Sequence, residues 1–87
     1  MVISELTNGE RFKVIKVTLA REIGKRLADM GFNEGVEGKV VRCALLGDPI
    51  QVHILDYDIS IRRSEAAGVE IRKIIPNLLH NVKIDPL

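Results

Sequence analysis

The chain has 87 residues, which is enough for one domain and not for two. Its 13 basic and 12 acidic residues nearly balance and its aromatic content is 3%, so we expect no nucleic-acid partner. The single cysteine excludes an internal disulfide. No signal peptide is recognised at the start and no apolar run approaches the ~20 residues of a membrane span, so we expect a cytoplasmic protein.

The first half of the chain predicts one strand and one helix. Residues 11–18 are predicted to form a strand whose apolar positions change face midway, which indicates either a bulge or a strand covered on both sides. Residues 20–30 change to a helical period, because Ile23, Leu27 and Met30 fall on one stripe, and Gly31 stands where a C-terminal cap is expected. We expect Gly24, inside this helix, to permit the close approach of a neighbouring backbone.

The second half predicts four short strands. They cover residues 36–44, residues 50–55, a segment marked by Ile59 and Ile61, and residues 69–74. A hairpin loop at 46–49 and a tight connection at 56–58 separate the middle strands.

The predicted fold is mainly β: a small, partly open SH3-like barrel of about five strands with one inserted α-helix. We assign residues 1–75 to this domain. Residues 76–87 form an apolar C-terminal tail, which we expect either to dock on its own barrel or to lie across a second copy in a homodimer.

Catalytic motifs are not recognisable in the sequence. It contains no nucleophile motif beside a histidine, no glycine-rich phosphate loop, no paired-cysteine zinc spacing and no His-Glu-x-x-His helix. Asp56 and Asp58 are interpreted most simply as turn formers. We therefore expect a binding protein and not an enzyme.

A weak metal site is one alternative that the residues leave open. If Val40 faces Ile54, strand parity places Cys43 and His53 on one face, whereas a slip of one residue would separate them. A lone histidine on a strand is more often an ordinary surface residue. No cofactor is required, but an open site for Fe²⁺ or Zn²⁺ would use these candidate ligands: Cys43, His53, Asp56, Asp58 and His80.

A partner-binding surface is the other candidate site. Two leucines stand beside the Gly-Asp-Pro turn, where polar residues would be expected, so they either cap the barrel end or form an apolar knob. The arginine pair that follows is either a solvated strand end or an arginine finger toward a nucleotide. The candidate partner-binding residues are Leu45, Leu46, Asp48, Pro49, Arg62 and Arg63.

Three segments in a fixed order carry a family resemblance: residues 26–32 (RLADMGF), 46–50 (LGDPI) and 59–66 (ISIRRSEA). Together with the opening LTNGE at 6–10, they resemble the FeoA family, small cytosolic proteins of bacterial and archaeal ferrous iron transport. The resemblance covers about residues 3–74 and implies an SH3-like barrel with an inserted helix.

The resemblance also implies a partner. That partner is an FeoB-like membrane iron transporter, a permease with a cytoplasmic GTPase domain, so we expect a non-catalytic adaptor that binds its cytoplasmic part. Such a protein would be cytoplasmic, or peripheral at the inner face of the membrane through its partner. The alternative is a metal-responsive accessory domain linked to iron-dependent transcription regulation, because related domains follow the metal-sensing domains of iron-dependent repressors.

Overall fold

The computed structural model describes residues 1–44 and 46–75, which form one antiparallel sheet with two helices. The sheet has the strand order β4-β3-β2-β1-β5, and β4 and β5 are its edges. The mainly β fold with one inserted helix is thus confirmed. The elements are a 3-10 turn at Ile3–Glu5, β1 Arg11–Val17, α1 Arg21–Asp29, β2 Glu37–Cys43, β3 Ile50–Ile54, β4 Tyr57–Ile61, α2 Arg63–Ala66 and β5 Val69–Ile74.

Strand β1 contains a bulge, one of the two alternatives that its sequence left open. Its pairing with β5 shifts register between Val14 and Lys16, so that Val17 comes to lie opposite Val69. Phe12 and Val14 are both fully buried. The bulge lets apolar residues before and after it point toward the core although their spacing changes.

Helix α1 packs on the core through Leu27, which is fully buried. It ends at Asp29, and Gly31, two residues later, has a φ of +111° in the left-handed region that favours glycine. The expectation for Gly24 is wrong, because a methyl carbon added there would meet only the Leu19 carbonyl oxygen, at 3.9 Å. That distance is an ordinary contact and not a close approach of two backbones.

The core lies on one face of the sheet and receives side chains from every strand. In β3 the alternation predicted from the sequence is confirmed, because its first, third and fifth residues are buried. The buried apolar side chains are Ile3, Leu6, Phe12, Val14, Leu27, Phe32, Val40, Ile50, Val52, Ile54, Ile61, Ala66, Val69 and Ile71.

The register between β2 and β3 differs from the expected one. Val40 lies opposite Val52 and not opposite Ile54, and the pairing shifts between Val40 and Arg42. Cys43 therefore pairs with Ile50 and packs against the core, whereas His53 is exposed on the outer face. Of the two arrangements that the sequence left open, the structure has the one that separates Cys43 from His53, because the extra residue in β2 reverses the parity.

The hairpin between β3 and β4 is tighter than the sequence suggested. Ile54 pairs directly with Tyr57, so that Leu55 and Asp56 alone form the turn, and Leu55 has a φ of +57°. Asp58 belongs to β4 and lies opposite His53. The interpretation of Asp58 as a turn former is therefore wrong, whereas Asp56 does lie in the turn.

Two expectations fall outside the described residues, namely those for Leu45 and for the tail at 76–87 with His80. Among the described residues, no helix combines the length and the apolar character that crossing a bilayer requires.

Candidate functional site

The loop between β2 and β3, described at residues 44 and 46–49 and hereafter the β2–β3 loop, is held in place by Arg63 at the start of α2. The Arg63 side chain donates from Nε to the Gly47 carbonyl oxygen at 2.7 Å and from Nη1 to the Ser4 carbonyl oxygen at 2.8 Å. Its Nη2 lies 3.6 Å from Cys43 Sγ. The backbone N–H of Arg63 donates to Asp48 Oδ1 at 2.9 Å. One residue thus ties the loop to α2 and to the N-terminal turn.

These contacts change the interpretation of the arginine pair. The Arg63 side chain is half-buried and points into the β2–β3 loop, so it is not a solvated strand end. Arg62 is the exposed member of the pair and precedes α2. A guanidinium that donates to two backbone carbonyl groups has a fixed position, and its role here is to shape the loop.

Leu46 stands at the tip of this loop with 92% of its surface exposed. It does not cap the barrel end, because its side chain extends into solvent. Pro49 is exposed beside it and follows a cis peptide bond with Asp48. Next to the loop lies a groove of about 320 Å³ lined by Arg42, Cys43, Ala44, Pro49, Gln51 and Ser60.

The candidate metal ligands are only partly brought together. His53 Nδ1 lies 2.6 Å from Asp58 Oδ1, and Gln51 donates to the other oxygen of the same carboxylate at 3.4 Å. Cys43 is on the opposite face of the sheet, and Asp56 lies in the turn beyond β3. Within residues 1–44 and 46–75, no three side chains of His, Cys, Asp or Glu converge. These residues by themselves do not supply the three or four ligands of a zinc site.

Glu65 is a buried polar side chain that the sequence interpretation missed, and its contacts hold two helices together. It is 6% exposed, its Oε1 accepts the backbone N–H of Arg62 at 3.0 Å, and its Oε2 pairs with Arg26 of α1. The signal was present in the sequence, since a glutamate three residues after the capping residue of a helix often accepts a hydrogen bond from the N–H group of that residue. Its partner Arg26 lies 39 residues away in the chain, and only the fold reveals that contact.

Glu10, just before β1, forms a second polar contact between distant segments. Its carboxylate pairs with Lys73 of β5 and accepts the backbone N–H and the hydroxyl of Thr7, at 2.7 and 3.0 Å. The bond from Lys73, followed by those from Thr7, lowers the pKa of Glu10 from its ordinary 4.5 to about 2.

Sequence comparison connects this arrangement to known proteins. The model of the FeoA domain family matches residues 1–73. A fusion of Fe(2+) transport protein A with the Fe(2+) transporter FeoB from Porphyromonas gingivalis is 39% identical over 77 residues. That match includes 88% of this chain but only 9% of the fusion protein.

Two solved structures show the same fold. The solution structure of FeoA from Chlorobium tepidum is 37% identical, with a TM-score of 0.82 over 86% of this chain and 71% of that one. FeoA from Stenotrophomonas maltophilia, an SH3 domain protein crystallised with zinc, is 30% identical, with a TM-score of 0.73 over 83% of this chain and 89% of that one. The SH3-like architecture predicted from the sequence is thereby confirmed.

Proposed function

The chain belongs to the FeoA family, and from that premise we propose that it is a non-catalytic adaptor of ferrous iron transport. Its partner in this proposal is the cytoplasmic part of an FeoB-type GTPase permease. The observation that carries the proposal is the fusion protein, in which a 39% identical segment shares one polypeptide with FeoB. A domain tethered in this way meets its neighbour at a high effective concentration, so even a weak specific contact would be occupied.

The β2–β3 loop is the surface that we assign to this partner. Leu46 offers an exposed apolar side chain at the tip of a loop that Arg63 already holds in one conformation. Apolar anchors on preorganised loops contribute to affinity because little conformational entropy is lost when they bind. Asp48, Pro49 and Arg62 would flank the anchor. The adaptor would lie in the cytoplasm, or at the inner face of the membrane when bound.

Calorimetric titration of the chain into the cognate transporter's cytoplasmic domain tests this proposal. We expect binding, with or without guanine nucleotide, and a loss of about tenfold or more in affinity for Leu46→Asp. Ile75→Asp is the matched control, because Ile75 is also exposed and apolar but lies outside the loop. Absence of binding in every nucleotide state would refute the adaptor role, whereas equal losses in both variants would refute only the loop assignment.

A second candidate function is a metal-responsive accessory domain linked to iron-dependent transcription regulation. It is favoured by the zinc complex of the 30% identical relative. His53 and Asp58 would supply two of the ligands, and His80 or another chain would have to supply the rest. Titration with Fe²⁺ and Zn²⁺ discriminates the two functions, since micromolar binding that is lost in His53→Ala would favour this one.

We also propose that the tail at 76–87 mediates a homodimer. Light scattering of the full chain and of a chain ending at residue 75 tests this proposal. A monomeric mass for the full chain would contradict it.

A further inference from the structure

The outer face of the sheet carries a row of basic side chains that crosses three adjacent strands. Arg11 of β1 lies directly opposite Lys39 of β2, and Lys39 lies directly opposite His53 of β3. The residues that alternate with them, among them Phe12 and Val52, are buried on the other face. Neighbouring strands are about 4.8 Å apart, so the three basic side chains emerge side by side. We call Arg11, Lys39 and His53 the basic row.

Two members of the row, Arg11 and Lys39, form no ion pair within the described part of the chain. The pairs found there join Arg26 to Glu65, Lys73 to Glu10 and, when the histidine is protonated, His53 to Asp58. The side chains of Arg11 and Lys39 are both exposed. Like charges directly opposite each other on a sheet destabilise it. The row therefore weakens the fold slightly, and a bound anion would relieve that repulsion.

We propose that the basic row binds an acidic segment of a partner protein. A carboxylate between Arg11 and Lys39 can receive hydrogen bonds from both side chains, and such charge-assisted bonds are the stronger ones. A shallow depression of about 400 Å³ accompanies the row, lined by Arg11, Glu37, Gly38, Lys39, His53 and Leu55. This surface is separate from the β2–β3 loop, which follows the opposite end of β2, and the inference does not depend on which protein carries the acidic segment.

The distribution of charge favours an acidic peptide over an anionic membrane. Glu37 and Glu70 lie on the same outer face, opposite Lys13 and Lys16 respectively. A membrane surface would meet these carboxylates together with the cations, and each cation contributes only about 1 kcal/mol to such binding. An extended peptide can place a carboxylate between Arg11 and Lys39 and turn its other groups away from Glu37, which lines the same depression.

An NMR titration of the full chain with a hexaglutamate peptide tests this inference. We expect the amide shifts to change most in β1 and β2, and the affinity to fall as salt is added. The double variant Arg11→Gln/Lys39→Gln should bind about tenfold more weakly. Arg21→Gln/Lys25→Gln is the control, because it removes the same charge from exposed positions of α1. The amide spectra of both variants report whether the fold is intact.

Three results would overturn the inference: no shift changes in β1 and β2, equal loss of affinity in both double variants, or binding to membranes alone. The last is checked by sedimentation with equimolar phosphatidylserine–phosphatidylcholine vesicles. Sedimentation that requires Arg11 and Lys39, without any response to the peptide, would assign the row to a lipid surface.

Discussion

At the scale of single residues, Gly24 and Gly68 differ in how much space surrounds the backbone, a difference that the sequence does not show. Gly24 lies inside α1 with its nearest neighbour, the Leu19 carbonyl oxygen, at 3.9 Å from an added methyl carbon. Gly68 precedes β5, and a methyl carbon there would lie 2.7 Å from the Thr18 carbonyl oxygen and overlap the Leu19 side chain. Space around the backbone, which composition does not reveal, therefore decides what an alanine would do at each position.

We predict that Gly24→Ala raises the free energy of unfolding by about 0.5–1 kcal/mol, because alanine loses less backbone entropy in a helix. Gly68→Ala should lower it, because the two backbones would have to move apart. Urea unfolding followed by circular dichroism measures both changes. A destabilised Gly24→Ala variant would show that α1 needs the glycine for a reason other than the space around it.

The pKa of Glu10 leads to a prediction on pH. The folded pKa of about 2 lies below the ordinary 4.5, so this carboxylate stabilises the fold fully above pH 4.5. That contribution is lost as the pH falls from 4.5 through about 2, and the stability difference between the natural chain and Glu10→Gln should shrink over this interval. An NMR titration of the Glu10 carboxyl group measures the pKa directly.

Lys73→Met is the matched control for Glu10, because the hydrogen bond from Lys73 is the largest cause of the lowered pKa. In that variant the pKa of Glu10 should rise toward 4.5. A carboxyl group that already titrates near 4.5 in the natural chain would contradict the contact between β5 and the residue before β1.

At the scale of elements, local patterns predicted the helix and the closing strand well but could not set the register between β2 and β3. Strand β5 has the predicted bounds of 69–74, and α1 at Arg21–Asp29 is one residue shorter at each end than predicted. These elements follow from the periodicity of their own residues. The β2–β3 register depends on the irregularity between Val40 and Arg42, and no residue type in that stretch predicts it.

In the candidate site, too, some features could be predicted from neighbouring residues in the sequence and others depend on contacts between distant residues. Leu46 could be singled out from the sequence, because a leucine beside a turn is locally anomalous, but the choice between a cap of the barrel end and an exposed side chain needed the structure. The clamp by Arg63 could not be predicted, since it joins the chain to a loop 16 residues earlier and to Ser4, 59 residues earlier. Contacts between residues so far apart in the chain are consequences of the fold. They show that Arg63 positions the loop, whereas the sequence had offered it as a partner-binding residue.

The cross-strand register gives a prediction for β2. Lys39→Glu would place an acid between Arg11 and His53, so we expect it to raise the free energy of unfolding by about 0.2–1 kcal/mol. Lys16→Glu is the reciprocal control, because Lys16 lies opposite Glu70 and the change would create a like-charge pair. Thermal unfolding at low salt measures both variants, and a destabilised Lys39→Glu variant would contradict the pairing of Lys39 with Arg11.

At the scale of the whole molecule, α1 connects regions that the sheet alone leaves apart. Beside its first turn, Leu19 contacts Gly68 ahead of β5, and at its last turn the Tyr57 hydroxyl of β4 donates to the Met30 carbonyl oxygen at 2.8 Å. β4 and β5 are the two edges of the sheet. The residues that flank α1 thus contact the two edges of the sheet, and the helix between them buries Leu27 in the core.

The pair between Glu65 and Arg26 lies in the middle of this connection, and its removal tests the connection as a whole. We predict that Glu65→Ala lowers the free energy of unfolding by about 1–3 kcal/mol, because the Arg62 N–H group loses its acceptor and α1 loses its contact with α2. Half of the Arg26 side chain is exposed, so water can solvate its charge and the loss stays below that of a fully buried pair.

Glu65→Gln separates the two contributions, because its amide oxygen can still accept the Arg62 N–H group while the negative charge opposite Arg26 is gone. It should therefore be less destabilised than Glu65→Ala in urea unfolding, and hydrogen exchange of the Arg62 amide should remain slow. In Glu65→Ala we expect faster exchange at Arg62 and at the C-terminal turn of α1 together, because both depend on one contact. Faster exchange at Arg62 alone would show that the edge strands are held by Tyr57 and Leu19 without help from this pair.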